Sequence, residues 1–479
     1  MTHPQLVRDR PGENIMPRGL DIAHNAATAW LDDLDTRSVA ATASLDDLYR
    51  RFSQPLPASA TDPEEVVRSL AELAGPGMIG SAGGRFFAWV IGGGLESALA
   101  ADWLVAAWDQ NAAIVACSPA AAVIEEVAGE WIKELLDLPR DASFAFTTGC
   151  QLAHMTCLAA ARGALLKRAG WDVETDGLFG APAIRVLTSD QKHGSIERAV
   201  RFLGLGRSAI EPLQTDELGR IQPETLEQAL SDTSRPILLV LNAADLNVGA
   251  CDRFTELIPM AKQAGAWVHV DGAFGLFARA SRTYRYLLDG VELADSWATD
   301  GHKWLNVPFD CGIAIIRDRD AHRAAMTLSA SYITAATTGR DQFDWNPEWS
   351  RRARGIPVYA ALRELGRDGV EHLIDRCCQH CTALVEGIGA LPGAEIVAAP
   401  TLNQGLLRFR RAGDSPEETD AFTDHIISAI NNTGEAFFSG TTWRGRRAMR
   451  VSVVNWRTSE SDVTRAIAAA AAVLAAETA

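Results

Sequence analysis

The stretch Ser296-Trp297-Ala298-Thr299-Asp300-Gly301-His302-Lys303-Trp304-Leu305-Asn306 sets one lysine between an acid–glycine–histidine turn and an aromatic residue. An apolar strand, Cys311-Gly312-Ile313-Ala314-Ile315-Ile316, follows shortly after. Surface lysines usually sit among other polar residues on helix faces, whereas this one follows β-branched, aromatic and small residues. A half-buried lysine is an amine whose pKa its surroundings can move, and such amines form Schiff bases. A Schiff-base lysine needs an acid, a ring-stacking group and a phosphate cradle from the rest of the chain.

Outward from this stretch, apolar runs alternate with helical patterns. Strands are predicted at 144–148, 184–188, 236–241 and 267–270, with helices at 151–168, 195–203 and 254–264. Near-continuous apolar strands separated by helices predict a parallel sheet covered on both faces. Upstream, Phe86-Phe87-Ala88-Trp89-Val90-Ile91 reads as a strand ended by Gly92-Gly93-Gly94, and 95–138 as one long helical region. Residues 1–75 read as helices with polar loops, amphipathic at 26–34 and 45–52 and broken at Pro55-Leu56-Pro57 and Asp62-Pro63-Glu64. They predict an arm that packs on something else, such as a second subunit. Beyond Pro357 a long helix (358–391), a strand at 406–409, a helix at 417–431, a strand at 449–454 and a final helix predict a smaller α+β domain. The divisions expected are an arm at 1–95, a large α/β domain at 96–345 and a small domain at 346–479.

Composition narrows the function. A chain of 479 residues is long enough for one large and one smaller core. Its net charge of −16, with no basic stripe to offset it, argues against a nucleic-acid partner. The start, Met1-Thr2-His3-Pro4-Gln5, lacks an apolar core, and no apolar run reaches the ~18 residues of a membrane helix. Neither a signal peptide nor a membrane span is expected, which points to the cytoplasm. The eight cysteines lie mostly in apolar contexts, as reduced core thiols do. Cys377-Cys378-Gln379-His380-Cys381 with His372 has metal-ligand residue types, but its helical spacing and the lack of a second ligand pair predict a plain helix, and no metal is expected.

Four sites fall at the ends of predicted strands, where ligands bind in open α/β sheets. Thr147-Thr148-Gly149-Cys150-Gln151 joins a strand to a helix, and the amides of such a junction hold anions. His193, in Ser189-Asp190-Gln191-Lys192-His193-Gly194-Ser195, can stack on a planar ring or simply cap a helix. Asp271, in His269-Val270-Asp271-Gly272-Ala273, can hold a protonated ring nitrogen or serve a turn. Lys303 is the fourth.

Together these motifs, with Asp300-Gly301-His302-Lys303-Trp304-Leu305, resemble the group II pyridoxal-phosphate-dependent decarboxylases, which include the aromatic-amino-acid and glutamate decarboxylases. The similarity runs from about Phe86 to Thr458. It implies the aminotransferase-like scaffold known as fold type I, with a central, mostly parallel, seven-stranded sheet, an N-terminal helical arm and a small C-terminal α+β domain. It further implies pyridoxal 5'-phosphate as cofactor, an L-amino acid as substrate, and a homodimer with the active site near the subunit interface. By the same resemblance Lys303 carries the cofactor as a Schiff base, His193 stacks on its ring, Asp271 pairs with the ring nitrogen and Ala273 packs on the other face. Gly149, Cys150, Gln151, Asp300 and His302 would surround the phosphate, and Asn247 would face the cofactor where many relatives carry threonine.

Two departures stand out. Cys150-Gln151 replaces small hydroxyl or alanine residues, so phosphate contacts would lean on backbone amides. Asp300 is an anion beside a phosphate, with a neighbouring backbone group or His302 as alternative partners. For the substrate pocket the candidates are Phe86, Phe87, Trp89, Tyr332, Phe343 and Arg450, each with a structural reading beside it: core packing for the first three aromatics, a salt bridge for Arg450. The stretch 331–343 is rich in small residues and reads as a lid. In the resembled family a lid tyrosine donates a proton to the substrate carbon, and a phenylalanine there accompanies oxygen-using aldehyde synthases. Oxidative decarboxylation-deamination, another fold-type-I activity and a non-catalytic cofactor-binding role are therefore the alternatives to a decarboxylase.

Overall fold

The computed structural model describes residues 18–328 and 339–478, in two units that divide between Gly80 and Ser81. The first unit holds helices α1 (Arg18–Asp32), α2 (Leu45–Phe52) and α3 (Pro63–Ala74). Ser44 and Asp47 form a capping box on α2, and the Asp62 side chain caps α3 with Pro63 in its first turn. Asp62-Pro63-Glu64, expected as a break, is thus a helix start. Proline's missing N–H costs nothing at a position that has no helical acceptor. None of the three helices has a buried residue, and Leu20, Leu45, Tyr49 and Leu70 are exposed.

The second unit begins with α4 (Glu96–Trp108) and α5 (Pro119–Leu135) and then alternates: β1 (Ser143–Thr147), α6 (Cys150–Arg168), α7 (Val173–Asp176), β2 (Arg185–Ser189), α8 (Gly194–Phe202), β3 (Ile210–Leu213), α9 (Pro223–Leu230), β4 (Ile237–Asn242), α10 (Phe254–Gln263) and β5 (Trp267–Asp271). Then come β6 (Ser296–Asp300), β7 (Gly312–Ile316) and α11 (Arg319–Met326). The chain ends with α12 (Gly355–Gly389), β8 (Ala394–Ala398), β9 (Gln404–Phe409), α13 (Pro416–Asn432), β10 (Ser439–Trp443), β11 (Arg446–Ser452) and α14 (Glu460–Thr478). The seven-stranded sheet has the order β1-β7-β6-β5-β4-β2-β3, and a four-stranded antiparallel sheet has the order β10-β11-β9-β8.

Every residue of β1, β2 and β4 to β7 is buried, which explains the apolar runs of all of them but β6. Alternation along the strands divides the core in two. Val268 and Val270 of β5 join one cluster with Phe144, Leu239, Trp297 and Ile313, while Trp267 joins another with α6 and α8. His269 and Asp271 share the parity of Trp267, so β5 presents them to the α6 side.

β7 alone runs against its neighbours, antiparallel to both β1 and β6. A parallel connection needs a crossover of a dozen or more residues, usually a helix. Residues 301–311 contain no helix, so the chain turns straight back, and Lys303 rides on that return. Because β1 and β6 both oppose β7, the carboxyl ends of β1, β2, β4, β5 and β6 all open on one edge.

Three expectations are corrected. Phe86–Ile91 is no strand: Phe86 makes a single bridge to Phe437, and Trp89 and Val90 turn into the left-handed region at φ 54° and 57°. The apolar run instead stacks, Phe86 on Phe437 and Phe87 on Phe438, each at 5.3 Å. A short apolar run does not distinguish a strand from a buried loop. The helical region 95–138 is broken between α4 and α5, where Asp109 is left-handed and Pro119 starts the next helix. The long C-terminal helix kinks at Gly366. The cysteine cluster lies on α12, with Cys377, Cys378 and Cys381 buried in the core. Among the described residues no helix is long and apolar enough to cross a membrane.

One buried side chain ties the lysine turn down. Asn306, left-handed at φ 54° and fully buried, accepts from the amides of Gly93 (2.8 Å) and Trp456 (3.0 Å). It donates to the carbonyls of Trp304 (2.9 Å) and Val454 (3.0 Å). This uses its full hydrogen-bonding capacity. Asn306→Ala leaves two buried amides and two carbonyls without these partners, at ~1–3 kcal/mol for each unsatisfied group. The variant is expected to lose at least ~2 kcal/mol in urea denaturation. A loss under ~0.5 kcal/mol, the range of ordinary surface substitutions, would contradict this role.

Candidate active site

The return from β6 to β7 places Lys303 Nζ 3.2 Å from Asp300 Oδ2. Burial works against the ammonium, but the Asp300 carboxylate, aided by Asp271, outweighs it and holds the lysine pKa above its ordinary value. Lys303 is therefore an ion-paired ammonium rather than a desolvated free amine. The other oxygen of Asp300 accepts the Cys150 N–H at 2.6 Å, at the first turn of α6. Of the two partners open to Asp300, the backbone makes the hydrogen bond, while His302 Nε2 lies 3.6 Å from Oδ2. His302 Nδ1 accepts the Cys311 N–H at 3.2 Å, and its ring lies against Phe309 with centroids 4.3 Å apart. A Cβ on Gly312 would come within 2.2 Å of the Gly149 carbonyl carbon, so only glycine lets β7 approach the β1–α6 junction this closely.

Asp271 ends β5. Its Oδ1 accepts the Ala273 N–H at 3.1 Å, and Oδ2 lies 3.5 Å from His154 Nε2. Burial alone would push its pKa up, but His154, His193 and the Ala273 amide together hold it below the ordinary carboxylate range. The acid is thus ionised. His193 is the N-cap of α8, its Nδ1 accepting the Ser195 N–H at 3.2 Å. Burial, opposed by Asp271, lowers its pKa, so at neutral pH the ring is uncharged, with its proton on Nε2. The capping and stacking readings are compatible, since they use different parts of the imidazole.

These side chains share a cleft of about 240 Å³ whose walls include Trp89, Val90, Gln191, His193, Asn242, Ala244, Asp245, Leu246, Asp271, Ala273, Phe274, Lys303 and Arg450. Six of the expected residues are thereby brought together: Trp89, His193, Asp271, Ala273, Lys303 and Arg450. Others stand apart from the wall. Asn247 turns to accept from Thr441 Oγ1 at 2.8 Å, leaving Ala244, Asp245 and Leu246 to face the cleft. Gln151 donates to the Ser195 carbonyl at 3.3 Å. Phe86 and Phe87 are core residues behind Trp89, and Phe343 is buried edge-on against Trp349 at 5.5 Å. Tyr332 lies outside the described residues.

Two wall residues carry unusual charge. Burial raises the Asp245 pKa to about 6 against the amides of Val248 and Asn247, and burial lowers Arg450 to about 10 against the attraction of Asp245. Arg450 donates to the Leu246 carbonyl at 3.2 Å, and among the described residues its Nε has no hydrogen-bond partner. Asp245 and His154 were missed from sequence. Each is a single polar residue in an unremarked segment, and only the tertiary partner marks it out.

A pyridoxal phosphate asks for an amine, an anion at the ring nitrogen, flat contacts on both faces and an anion cradle. Lys303, Asp271, and His193 with Ala273 offer the first three in one cleft. The fourth is the amino end of α6, where Asp300 already takes the Cys150 amide, so the cradle shares a donor with a side-chain carboxylate. The residues fit the cofactor on that condition.

Fold and cleft define an α/β protein with a lysine, an acid and a histidine gathered on one cleft. A family model described as the pyridoxal-dependent decarboxylase conserved domain matches residues 47–411. The L-2,4-diaminobutyrate decarboxylase of Rhizobium meliloti (strain 1021) is 30% identical over 379 residues, 77% of this chain and 73% of the relative. The aromatic-L-amino-acid decarboxylase of Bacillus atrophaeus is 26% identical over 448 residues, 90% of each chain. The crystal structure of Oryza sativa TDC with PLP and tryptamine superposes with a TM-score of 0.90 at 22% identity, covering 98% of this chain and 100% of that one. The chain belongs to the pyridoxal-dependent decarboxylase family. It has the fold of type I pyridoxal-phosphate enzymes, its cofactor is pyridoxal phosphate, and its class is amino-acid carboxy-lyase.

The Asp300–Lys303 pair generates a signed prediction. Because Asp300 raises the lysine pKa, Asp300→Asn is expected to shift the pH dependence of covalent pyridoxal phosphate incorporation to lower pH. The measurement is the rate of absorbance change after adding cofactor to apoprotein. A midpoint that stays put or moves up would contradict the pairing.

Proposed function

We propose that the chain removes CO2 from an L-amino acid to give the amine, with Lys303 as the residue that carries the cofactor. The observation behind this reading is the convergence of Lys303, ionised Asp271 and uncharged His193 on one cleft at the carboxyl edge of the sheet. When bound, pyridoxal phosphate supplies the electron sink for the carbanion left by departing CO2. Asp271 keeps the proton on the ring nitrogen, because a buried carboxylate already held ionised stabilises a cation beside it. His193 would pack on one ring face with its Nε2–H turned toward the substrate, and Ala273 would pack on the other. Lys303 would hold the cofactor and, as an amine on the cleft wall, would move a proton at the reacting carbon. Gly149, Cys150, Gln151 and His302 would line the phosphate end, Gln151 through its backbone amide, with Asp300 setting the charge of the lysine. Breaking the bond to CO2 rather than to hydrogen requires the substrate carboxylate to be held across the ring plane, a positioning task. Arg450 suits it: it lies on the cleft wall, and its Nε has no hydrogen-bond partner among the described residues.

The wall formed by Trp89, itself packed near Phe86 (5.9 Å) and Phe437 (5.6 Å), favours a substrate with an aromatic or apolar side chain. The enzyme works in the cytoplasm as a homodimer with its site near the subunit interface. Leu104 and Trp108 on α4, Phe309 and the exposed apolar residues of the first unit are surface that a second copy would cover. The large domain spans 96–345 around the seven-stranded sheet and the small domain 346–479 around the four-stranded sheet, with the arm at 1–95.

A second reading is oxidative decarboxylation-deamination, the kind of activity named in a relative 26% identical, the phenylacetaldehyde synthase of Arabidopsis thaliana. A CO2-release screen over aromatic, acidic and basic amino acids, with oxygen and amine followed in parallel, separates the readings. Decarboxylation predicts equimolar CO2 and amine without oxygen uptake, and loss of on the order of a thousandfold or more in Lys303→Ala. Oxygen uptake with aldehyde and peroxide release would replace it with the second reading. No CO2 from any amino acid would leave a cofactor-binding protein without turnover.

A further inference from the structure

Asp271 is backed by a line of polar side chains buried between α6 and the sheet. His154, His269 and Ser296 are fully buried and Trp267 is 1% exposed. His154 Nε2 lies 3.5 Å from Asp271 Oδ2, and its Nδ1 lies 2.9 Å from His269 Nε2. His269 Nδ1 lies 2.9 Å from Ser296 Oγ, which also accepts the Trp267 Nε1–H at 3.0 Å. The fold assembles this line directly. Trp267, His269 and Asp271 alternate onto one face of β5, and Ser296 is the register partner of His269 on β6. His154 comes from α6, and the two imidazoles meet edge to face at 86°.

Donor and acceptor capacity fixes the protons along the line. Trp267 only donates, and ionised Asp271 only accepts. A hydrogen on His154 Nε2 lets it donate to Asp271, the stronger acceptor of the two groups beside that nitrogen. With that hydrogen in place two arrangements satisfy every nitrogen. In the neutral one, Ser296 donates to His269 Nδ1 and His269 Nε2–H donates to His154 Nδ1. With one more proton the bonds reverse, from His154 Nδ1–H to His269 and from His269 Nδ1–H to Ser296. Both keep Nε2–H on Asp271. Burial pushes His269 down to about 3, so His269 itself stays uncharged in both arrangements. Cys150 Sγ, 3.3 Å from His154 Nε2, stays a thiol because burial and Asp300 raise its pKa.

We infer that His154, its tautomer set by His269 and Ser296, is a positioning residue that keeps Asp271 oriented and ionised toward the ring nitrogen of the cofactor. This rests on the assignment of Asp271 to that nitrogen. An isolated buried carboxylate takes up a proton rather than hold its charge. The Ala273 amide serves one oxygen of Asp271, and His154 serves the other. Among the described residues, the other ionisable groups that act on Asp271 are Cys150 on α6, His193 before α8 and Lys303 on the turn after β6.

The test uses holoenzyme loaded with cofactor labelled with ¹⁵N in the ring, whose chemical shift reports the ring-nitrogen proton as pH is raised. His154→Leu fills space without hydrogen bonds, whereas His154→Gln offers an N–H to Asp271 and a carbonyl to His269, as the neutral histidine does. The leucine variant is expected to lose the ring proton about one to two pH units earlier than wild type, the worth of a hydrogen bond to a charged group. The glutamine variant should stay with wild type. His154→Phe, which keeps the ring shape, answers the same question if the leucine variant does not fold. A folded, loaded leucine or phenylalanine variant that titrates as wild type, while Asp271→Asn loses the proton, overturns the role of His154 alone. A glutamine variant that titrates like leucine also overturns it. Retention of the proton in Asp271→Asn overturns the assignment of Asp271, and the role of His154 with it.

Discussion

The carboxylate of Asp300 joins two parts of the site that the chain builds far apart in sequence. One oxygen holds the first amide of α6 at 2.6 Å, and the other holds the Lys303 ammonium at 3.2 Å. A buried ammonium without a partner would give up its proton, and the free amino end of a helix would need another anion. Asp300 meets both needs at once. It also means that the amine and the anion cradle are coupled before any ligand arrives. A phosphate entering at the amino end of α6 competes with Asp300 for a donor, and whatever displaces Asp300 changes the charge on Lys303.

The antiparallel turn from β6 to β7 makes that coupling possible. Had the connection been a helical crossover, like the others in the sheet, Lys303 would be carried away from the edge where Asp271 and His193 lie. The direct return leaves Lys303 at the mouth, and Asn306 pins the turn to the Gly93 loop and to Val454 and Trp456 from the end of the chain. A Cβ on Gly92 would sit 2.3 Å from the Lys303 carbonyl, so the loop before α4 closes on the lysine turn at backbone distance. The cleft is thus walled by segments from the start, middle and end of the second unit, each held by hydrogen bonds rather than by apolar packing alone.

What was legible in the sequence follows from which residues carry local signals. β1, β2, β4, β5 and β7 are buried on both faces and wrote themselves as apolar runs. β6 did not, because Ser296, Thr299 and Asp300 are polar residues buried in the sheet, and the segment carries no apolar run to mark it as a strand. The 86–91 run misled in the opposite sense, being apolar without being extended. Lys303, Asp271 and His193 stood out because strand, turn and residue type coincide within a few positions. His154 is a lone histidine on an apolar helix and Asp245 one polar residue in a loop, and their significance comes from His269, Asp271 and Arg450 on other elements. The direction of the Lys303 pKa was likewise invisible. A buried lysine suggests a lowered value, and only the position of Asp300 reverses the sign.

The central claim is that Lys303 is the residue bonded to the cofactor. Borohydride reduction of the purified holoenzyme, followed by proteolysis and mass spectrometry, tests it most directly, because reduction makes the link permanent and the peptide locates it. The account predicts a pyridoxyl-phosphate adduct on the peptide containing Lys303. An adduct on another lysine such as Lys192, or reduction that leaves every lysine unmodified in a protein carrying cofactor, would contradict it.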